Sequence, residues 1–250
     1  MDVISIIQQN LAHCEAAEDE FIDHLVNSRA IGLVQEPYLR KNKIKQPIGY
    51  RVIHCGKEAR ACIYLPNDVN AWLISSSRDV VAVLTGNQEK GTILCSSYHD
   101  REFPEKEIGY GLDPIMDYAN KGQHKILFGM DSNAHSILWG PNENPDSRGA
   151  HMEDWIFRNH LKLDNTGDTP TFRSSRGSTV IDLTVSSYTL EVSQWTVDTG
   201  ECLSDHRRIL YTLQLNTKRS FKRRNFKDAN WIIFKEELDK GLNEIDQNPV

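Results

Sequence analysis

A scattered series of polar residues in this chain has the composition of a hydrolytic site. Asp131 and Asn133 stand two apart in Phe128-Gly129-Met130-Asp131-Ser132-Asn133, directly after the apolar run Lys125-Ile126-Leu127-Phe128. A carboxylate and a carboxamide at the end of a buried strand are costly unless they bind something. Other apolar runs end in the same way. Asn10 follows Val3–Gln9, Glu36 follows Ala30–Val34 and precedes Pro37, Tyr98 follows Thr92–Ser97, and Asp205-His206 lead into Arg207–Leu215. Asp182 lies within Val180–Val185, among β-branched residues, where a carboxylate needs a partner. His206 offers one, because a neighbouring carboxylate orients an imidazole and holds its proton.

The acidic members supply oxygen donors, and no cysteine joins them. That set suits Mg2+ or Mn2+ rather than Zn2+. Mg2+ keeps several waters and uses one or two carboxylates with a substrate phosphate. A Glu, an Asp-x-Asn pair, a protonated His and a Tyr therefore point to attack of water on a phosphodiester. The metal and the imidazolium would stabilise charge building on the phosphate oxygens.

The elements that must position these residues are mostly strands. Besides the runs above, Arg51–Cys55, Ala61–Leu65, Ala71–Ile74, Val80–Leu84, Leu161–Leu163, Thr171-Phe172 and Glu191–Val197 read as strands between turns rich in Gly, Pro and Asn. Helical spacing appears over Glu15–Val26 and Ile108–Ala119. A third helix runs through Met152, Trp155, Ile156 and His160, with Ser147 as its cap. Helices interspersed among strands predict two packed mixed sheets with helices outside, as one domain over residues 1–216. Residues 217–250 differ. A basic linker, Lys218-Arg219-Ser220-Phe221-Lys222-Arg223-Arg224, precedes an amphipathic helix with Trp231, Phe234 and Leu238 on one side.

The 250 residues are 39% hydrophobic and 26% charged, with a net charge of −6. An acidic balance argues against nonspecific coating of nucleic acid while leaving room for a local basic groove. The five cysteines show no C-x-x-C spacing, which favours a reducing compartment. No apolar stretch of about 18 residues is present, so no membrane partner is expected.

Gln8-Gln9-Asn10, Gln35-Glu36-Pro37, Ser97-Tyr98, Asp131-Ser132-Asn133, Ile181-Asp182-Leu183 and Ser204-Asp205-His206 resemble, in that order, the motifs of the endonuclease/exonuclease/phosphatase superfamily. That superfamily includes DNase I and the exonuclease III-type abasic endonucleases. The string from Asp131 through His135 and Trp139 to Gly140, with Thr169-Pro170-Thr171-Phe172, is similar to the endonuclease of arthropod-type non-LTR retrotransposons. The resemblance implies a DNase I-like α/β fold, a four-layer sandwich of two mixed β-sheets flanked by helices. It implies Glu36 as principal metal ligand with Asn10 beside it and Asp205 assisting. Asp131 would activate the water, Asn133 and Tyr98 would contact the phosphate, and His206, supported by Asp182, would hydrogen-bond it. The implied activity is a nick in double-stranded DNA leaving a 3′-hydroxyl that primes reverse transcription. The implied context is a nuclear polyprotein in which a covalently linked reverse transcriptase region follows.

Arg148, Arg173 and Arg176, read as loop residues near the site strands, are candidate DNA contacts. The basic loop Arg40, Lys41, Lys43 and Lys45 is either a phosphate contact or a solvated face. The chain departs from abasic endonucleases at Ala12, where they carry Asp, which argues against abasic repair as the main role. Two other readings stay open: a phosphoesterase acting on a small molecule or lipid, and a non-catalytic nucleic-acid-binding remnant.

Overall fold

A computed structural model describes residues 2–102, 109, 111–140, 144–175, 177–215, 231, 233, 235, 236 and 238. Two compact units occupy Met1–Lys218 and Arg219–Val250. In the second, residues 231, 233, 235, 236 and 238 are helical; Phe234 and Arg223-Arg224 lie outside the described residues.

The first unit contains two six-stranded sheets. One comprises β1 (Asp2–Asn10), β2 (Ile31–Gln35), β3 (Tyr50–Ile53), β4 (Ala61–Pro66), β13 (Val192–Val197) and β14 (Ile209–Leu215), in the order β13-β14-β1-β2-β4-β3. The other comprises β5 (Ala71–Ser76), β6 (Val80–Thr85), β7 (Thr92–Tyr98), β8 (Lys125–Asp131), β9 (Leu161–Leu163) and β12 (Asp182–Ser187), in the order β5-β6-β7-β8-β12-β9. Both are mixed: β1 pairs parallel with β2 and antiparallel with β14, and β8 pairs parallel with β7 and antiparallel with β12. A separate hairpin joins β10 (Phe172–Ser174) to β11 (Gly177–Thr179).

Strand alternation sorts the apolar side chains into layers. Ile6, Leu33 and Ile63 of the first sheet share a buried cluster with Val81, Val83, Leu94 and Leu127 of the second. On the outer side of the first sheet, Ile7, Val34, Cys62 and Tyr64 pack on Phe21, Ile22 and Leu25 of α1 (Glu15–Ser28). On the outer side of the second, Ile93, Cys95, Ile126 and Phe128 meet α2 (Asp113–Gly122) and α3 (Ser147–Arg158) through Ile115, Met116, Met152 and Trp155. The expected four-layer sandwich is what forms. Strands buried on both faces read as nearly unbroken apolar runs, which is why β2, β4 and β6 were visible in sequence.

Several local expectations need correction. The helix expected from Ile108 begins at Asp113, where Pro114 suits the first turn; Ile108 lies outside the described residues. The α3 cap is Asp146, not Ser147, because the Asp146 carboxylate accepts the Gly149 amide proton. His160 lies past the end of that helix with a positive φ of 50°. The Thr171-Phe172 piece belongs to a hairpin that turns back through Gly177. Two boundaries move toward the site: β8 continues through Asp131 and β12 begins at Asp182.

Candidate active site

Register brings the polar residues together. Along one edge of the second sheet, Tyr98 lies beside Asp131 and Asp131 beside Asp182. In the first sheet Asn10 lies beside Gln35, so Glu36 is the first residue past that pair. The chain turns sharply at these ends. Glu36 has φ 44° and Asn133 φ 45°, and Ala12 and His13 follow Asn10 with φ 47° and 53°. Such left-handed conformations cost roughly 1–3 kcal/mol each in non-glycine residues and cluster at functional sites.

Asp131 is 1% exposed and anchored on both oxygens. Oδ2 accepts from Asn10 Nδ2 at 2.8 Å, and Oδ1 accepts from the Asn133 backbone amide at 3.0 Å. The same Asn10 nitrogen donates to Glu36 Oε2 at 3.0 Å, so one amide group bridges carboxylates carried by opposite sheets. His206 Nδ1 faces both Asp182 oxygens at 2.8 and 3.1 Å, and its Nε2 lies 3.9 Å from Asp131 Oδ2. Thr171 Oγ1 accepts from the backbone amides of Ile181 and Asp182, fixing the start of β12. Ser204 Oγ donates to the Asn10 carbonyl and accepts from the His206 amide, tying the histidine loop to β1.

These contacts set the charges. Burial pushes the Asp131 carboxyl up to about 7, and the nearby Asp182 charge adds to the rise, against His206 and the Asn10 hydrogen bond. Burial alone would lower His206, but the Asp182 charge and hydrogen bond, with Asp131 behind them, raise it to about 9. The imidazole is therefore protonated at neutral pH and donates through Nδ1 to Asp182. Burial opposes ionisation of Glu36, yet hydrogen bonds from His13, Asn10 and Tyr98 hold its carboxyl below the ordinary value. Burial raises the Tyr98 phenol, helped by the Glu36 and Asp131 charges, so it remains a neutral donor.

Ligand atoms of Asp131, Asp182 and His206 lie within 4.8 Å of one another, a grouping that could hold a metal ion. In this structure the histidine is turned to another part, its Nδ1 lying 2.8 Å from Asp182 Oδ2. The carboxylate oxygens of Glu36 and Asp131 do fit: they converge on the Asn10 amide nitrogen, a position that favours positive charge. Asn10 turns its amide nitrogen to the two carboxylates, while its Oδ1 accepts the Ala12 amide at 2.7 Å. Asp205 is exposed, and among the described residues its carboxylate makes no hydrogen bond or ion pair.

The arginines also move. Arg148 is a buried residue in the first turn of α3, not a loop residue open to solvent. Its guanidinium turns inward, with Nε donating to the Asn133 carbonyl at 3.0 Å and Nη2 to the Ser132 and His99 carbonyls at 3.4 and 3.5 Å. Arg173 is exposed on β10, where its backbone amide donates to the Asp205 carbonyl. Arg176 lies outside the described residues.

Sequence reasoning missed other members. His13 Nε2 lies 3.4 Å from Glu36 Oε1. The Phe172 ring lies 4.8 Å from that of His206 and walls the pair. Arg60 stacks 4.6 Å over the Tyr98 ring and pairs with Asp79 and Asp100. Phe172 was within reach, standing beside the quoted Thr171. Nothing in local composition marks Arg60, whose role depends on the pairing of distant strands.

A family profile described as Endonuclease-reverse transcriptase matches residues 92–210. A putative 115 kDa protein in type-1 retrotransposable element R1DM of Drosophila melanogaster is 26% identical over 270 residues, spanning 98% of this chain and 26% of that protein. The chain thus spans about a quarter of the length of this relative. Among solved structures, the endonuclease domain of TRAS1, a telomere-specific non-LTR retrotransposon, is 25% identical with a TM-score of 0.72, covering 86% of this chain and 100% of that one. An endonuclease/exonuclease/phosphatase from Bacteroides vulgatus superposes with a TM-score of 0.64 at 12% identity, covering 86% of this chain and 100% of that one, a likeness of fold alone.

Proposed function

We propose that this domain, a non-LTR retrotransposon endonuclease of the endonuclease/exonuclease/phosphatase superfamily, is a divalent-metal-dependent endodeoxyribonuclease that nicks double-stranded DNA. The observation that carries the reading is the Asp131–His206–Asp182 arrangement, a buried carboxylate facing an imidazolium that a second carboxylate holds in place. Asp131 takes a proton from the attacking water, oriented for the task by Asn10 and the Asn133 amide. His206 donates from Nε2 to a phosphate oxygen, and Asp182 keeps that proton available. Tyr98, once its hydroxyl leaves Glu36, and the second hydrogen of Asn133 Nδ2, the first being held by the His99 carbonyl, would be further donors to the phosphate. A bond forms between the water oxygen and phosphorus, the bond to the 3′-oxygen breaks, and that oxygen leaves with its electron pair and takes a proton from solvent to become a hydroxyl.

Glu36 is the residue that would hold Mg2+ or Mn2+, with the Asp131 oxygens beside it across the Asn10 amide. Such an ion would supply positive charge to offset the charge that builds on the phosphate. In the element that encodes it, the nuclease would span residues 1–216, and residues 217–250 would lead into the reverse transcriptase region that extends the new 3′-hydroxyl. The work would be done in the nucleus. Plasmid nicking tests the reading: relaxed circles form with Mg2+ and not with EDTA, and the nick can be extended by a polymerase without prior end repair. Supercoiled plasmid left intact by a protein that hydrolyses small phosphate esters would instead mark a small-molecule phosphoesterase.

A further inference from the structure

Arg101 lies on the loop after β7 and reaches the site without having been called by its sequence. Its Nε donates to Asn133 Oδ1 at 2.8 Å, while Asn133 Nδ2 donates to the His99 carbonyl at 3.0 Å. Both ends of the Asn133 amide are thereby fixed, and Arg101 holds the outer one. The guanidinium carbon lies 6.0 Å from the centroid of Phe172, whose ring leans on His206. Arg101 is exposed, whereas Asn133 is only 7% exposed. A strand approaching Asp131 from solvent meets the arginine before it meets the asparagine. With Nε engaged, the two terminal nitrogens make no hydrogen bond or ion pair among the described residues. A planar fork held at its base and resting against an aromatic ring is preorganised for two parallel bonds to phosphate oxygens.

We infer that Arg101 clamps a backbone phosphate of the bound DNA strand at the rim of the site and fixes the Asn133 carboxamide beneath it. The inference rests on the nuclease reading and adds a contact to it. The two functions separate by substitution. Arg101→Ala removes the charge and the bond to Asn133; Arg101→Lys keeps a charge and loses the fork.

The test measures binding to a labelled DNA duplex in EDTA across a salt series, and single-turnover nicking in Mg2+. Arg101→Ala should weaken binding several-fold and flatten the plot of log affinity against log salt by about 0.9, the share of one phosphate. Arg101→Lys should keep the wild-type slope yet nick roughly tenfold more slowly, the loss expected for one charge-assisted hydrogen bond. Both variants should melt at the wild-type temperature. An Arg101→Ala protein with unchanged slope overturns the clamp, and Arg101→Lys nicking at full speed overturns the hold on Asn133. Wild-type protein that binds the duplex without nicking it defeats the nuclease reading, while a flattened slope in Arg101→Ala still supports the clamp.

Discussion

His206 and Asp131 both keep protons longer than exposed groups of their kind. The consequences for stability have one sign. The folded His206 value of about 9 lies above the ordinary value, so the charged pair with Asp182 stabilises the fold fully below about 6.5 and is lost as pH climbs through about 9. Asp131 is also raised, to about 7, so its ionisation withdraws stability between about 4 and about 7. Metal-free protein should therefore lose stability as pH rises across both windows, read as the urea midpoint against pH in chelator. Asp131→Asn should flatten the curve between pH 4 and 7; a wild-type profile in that variant would show that the carboxyl is not the source. For nicking, His206→Ala should lower kcat by roughly 100-fold or more, the range of a lost charge-stabilising donor. Asp182→Asn should move the alkaline limb of the rate profile below about 9, because the imidazolium loses its main support. An unmoved limb would assign that ionisation elsewhere.

Between the two sheets, elements are held in register by glutamines beneath the site. Gln8 Nε2 donates to the Leu183 carbonyl at 3.0 Å, and its Oε1 accepts from Thr184 Oγ1 at 3.0 Å. Gln35 Nε2 donates to the Gly129 carbonyl and to Ser96 Oγ. These bonds join the strands that end at Asn10 and Gln35, just before Glu36, to the strands carrying Asp131, Asp182 and Tyr98. Gly129 permits the approach, since a Cβ there would stand 2.8 Å from Gln8 Oε1 and from a Leu33 methyl. Gln8→Leu should cost about 1–3 kcal/mol for each polar group left unsatisfied and should lower kcat with little change in KM. Equal kcat in the variant would mean that the sheet edges keep their spacing without the brace. Gly149 is a second close approach, where a Cβ would fall 1.9 Å from the His135 carbonyl oxygen. Gly149→Ala should destabilise the domain by about 3 kcal/mol, measured by denaturant unfolding.

Such contacts explain what the sequence could not show. Asn10, Glu36, Tyr98, Asp131 and Asp182 were legible because each breaks an apolar run, and strand ends gather at one edge. Arg148 was misread because its charge suggests solvent, whereas its donors answer carbonyls that only the folded loops bring together. Asp205 and His206 are adjacent in sequence yet differ in burial, Asp205 exposed and His206 buried, a contrast that adjacency alone does not reveal. The Asn10 amide could be placed beside Glu36, but which of its atoms faces the carboxylates depends on the Ala12 turn.

At the scale of the whole molecule, three buried clusters and the described site residues belong to the unit Met1–Lys218. A chain ending at Lys218 should thus fold and nick plasmid at the rate of the 250-residue chain; an unfolded product would place part of the stability beyond that residue. Within the unit, the first strand does not find all its partners early. β1 lies between β2 and β14, and Asp2 pairs opposite Leu215. Loops of that length close slowly and leave strand edges waiting. During synthesis, β1 must therefore leave one edge open until β14 emerges, and His206 arrives just ahead of it. A partly made chain would hold Glu36 and Asp131 without His206, so under the proposed mechanism cutting would await the segment that carries it.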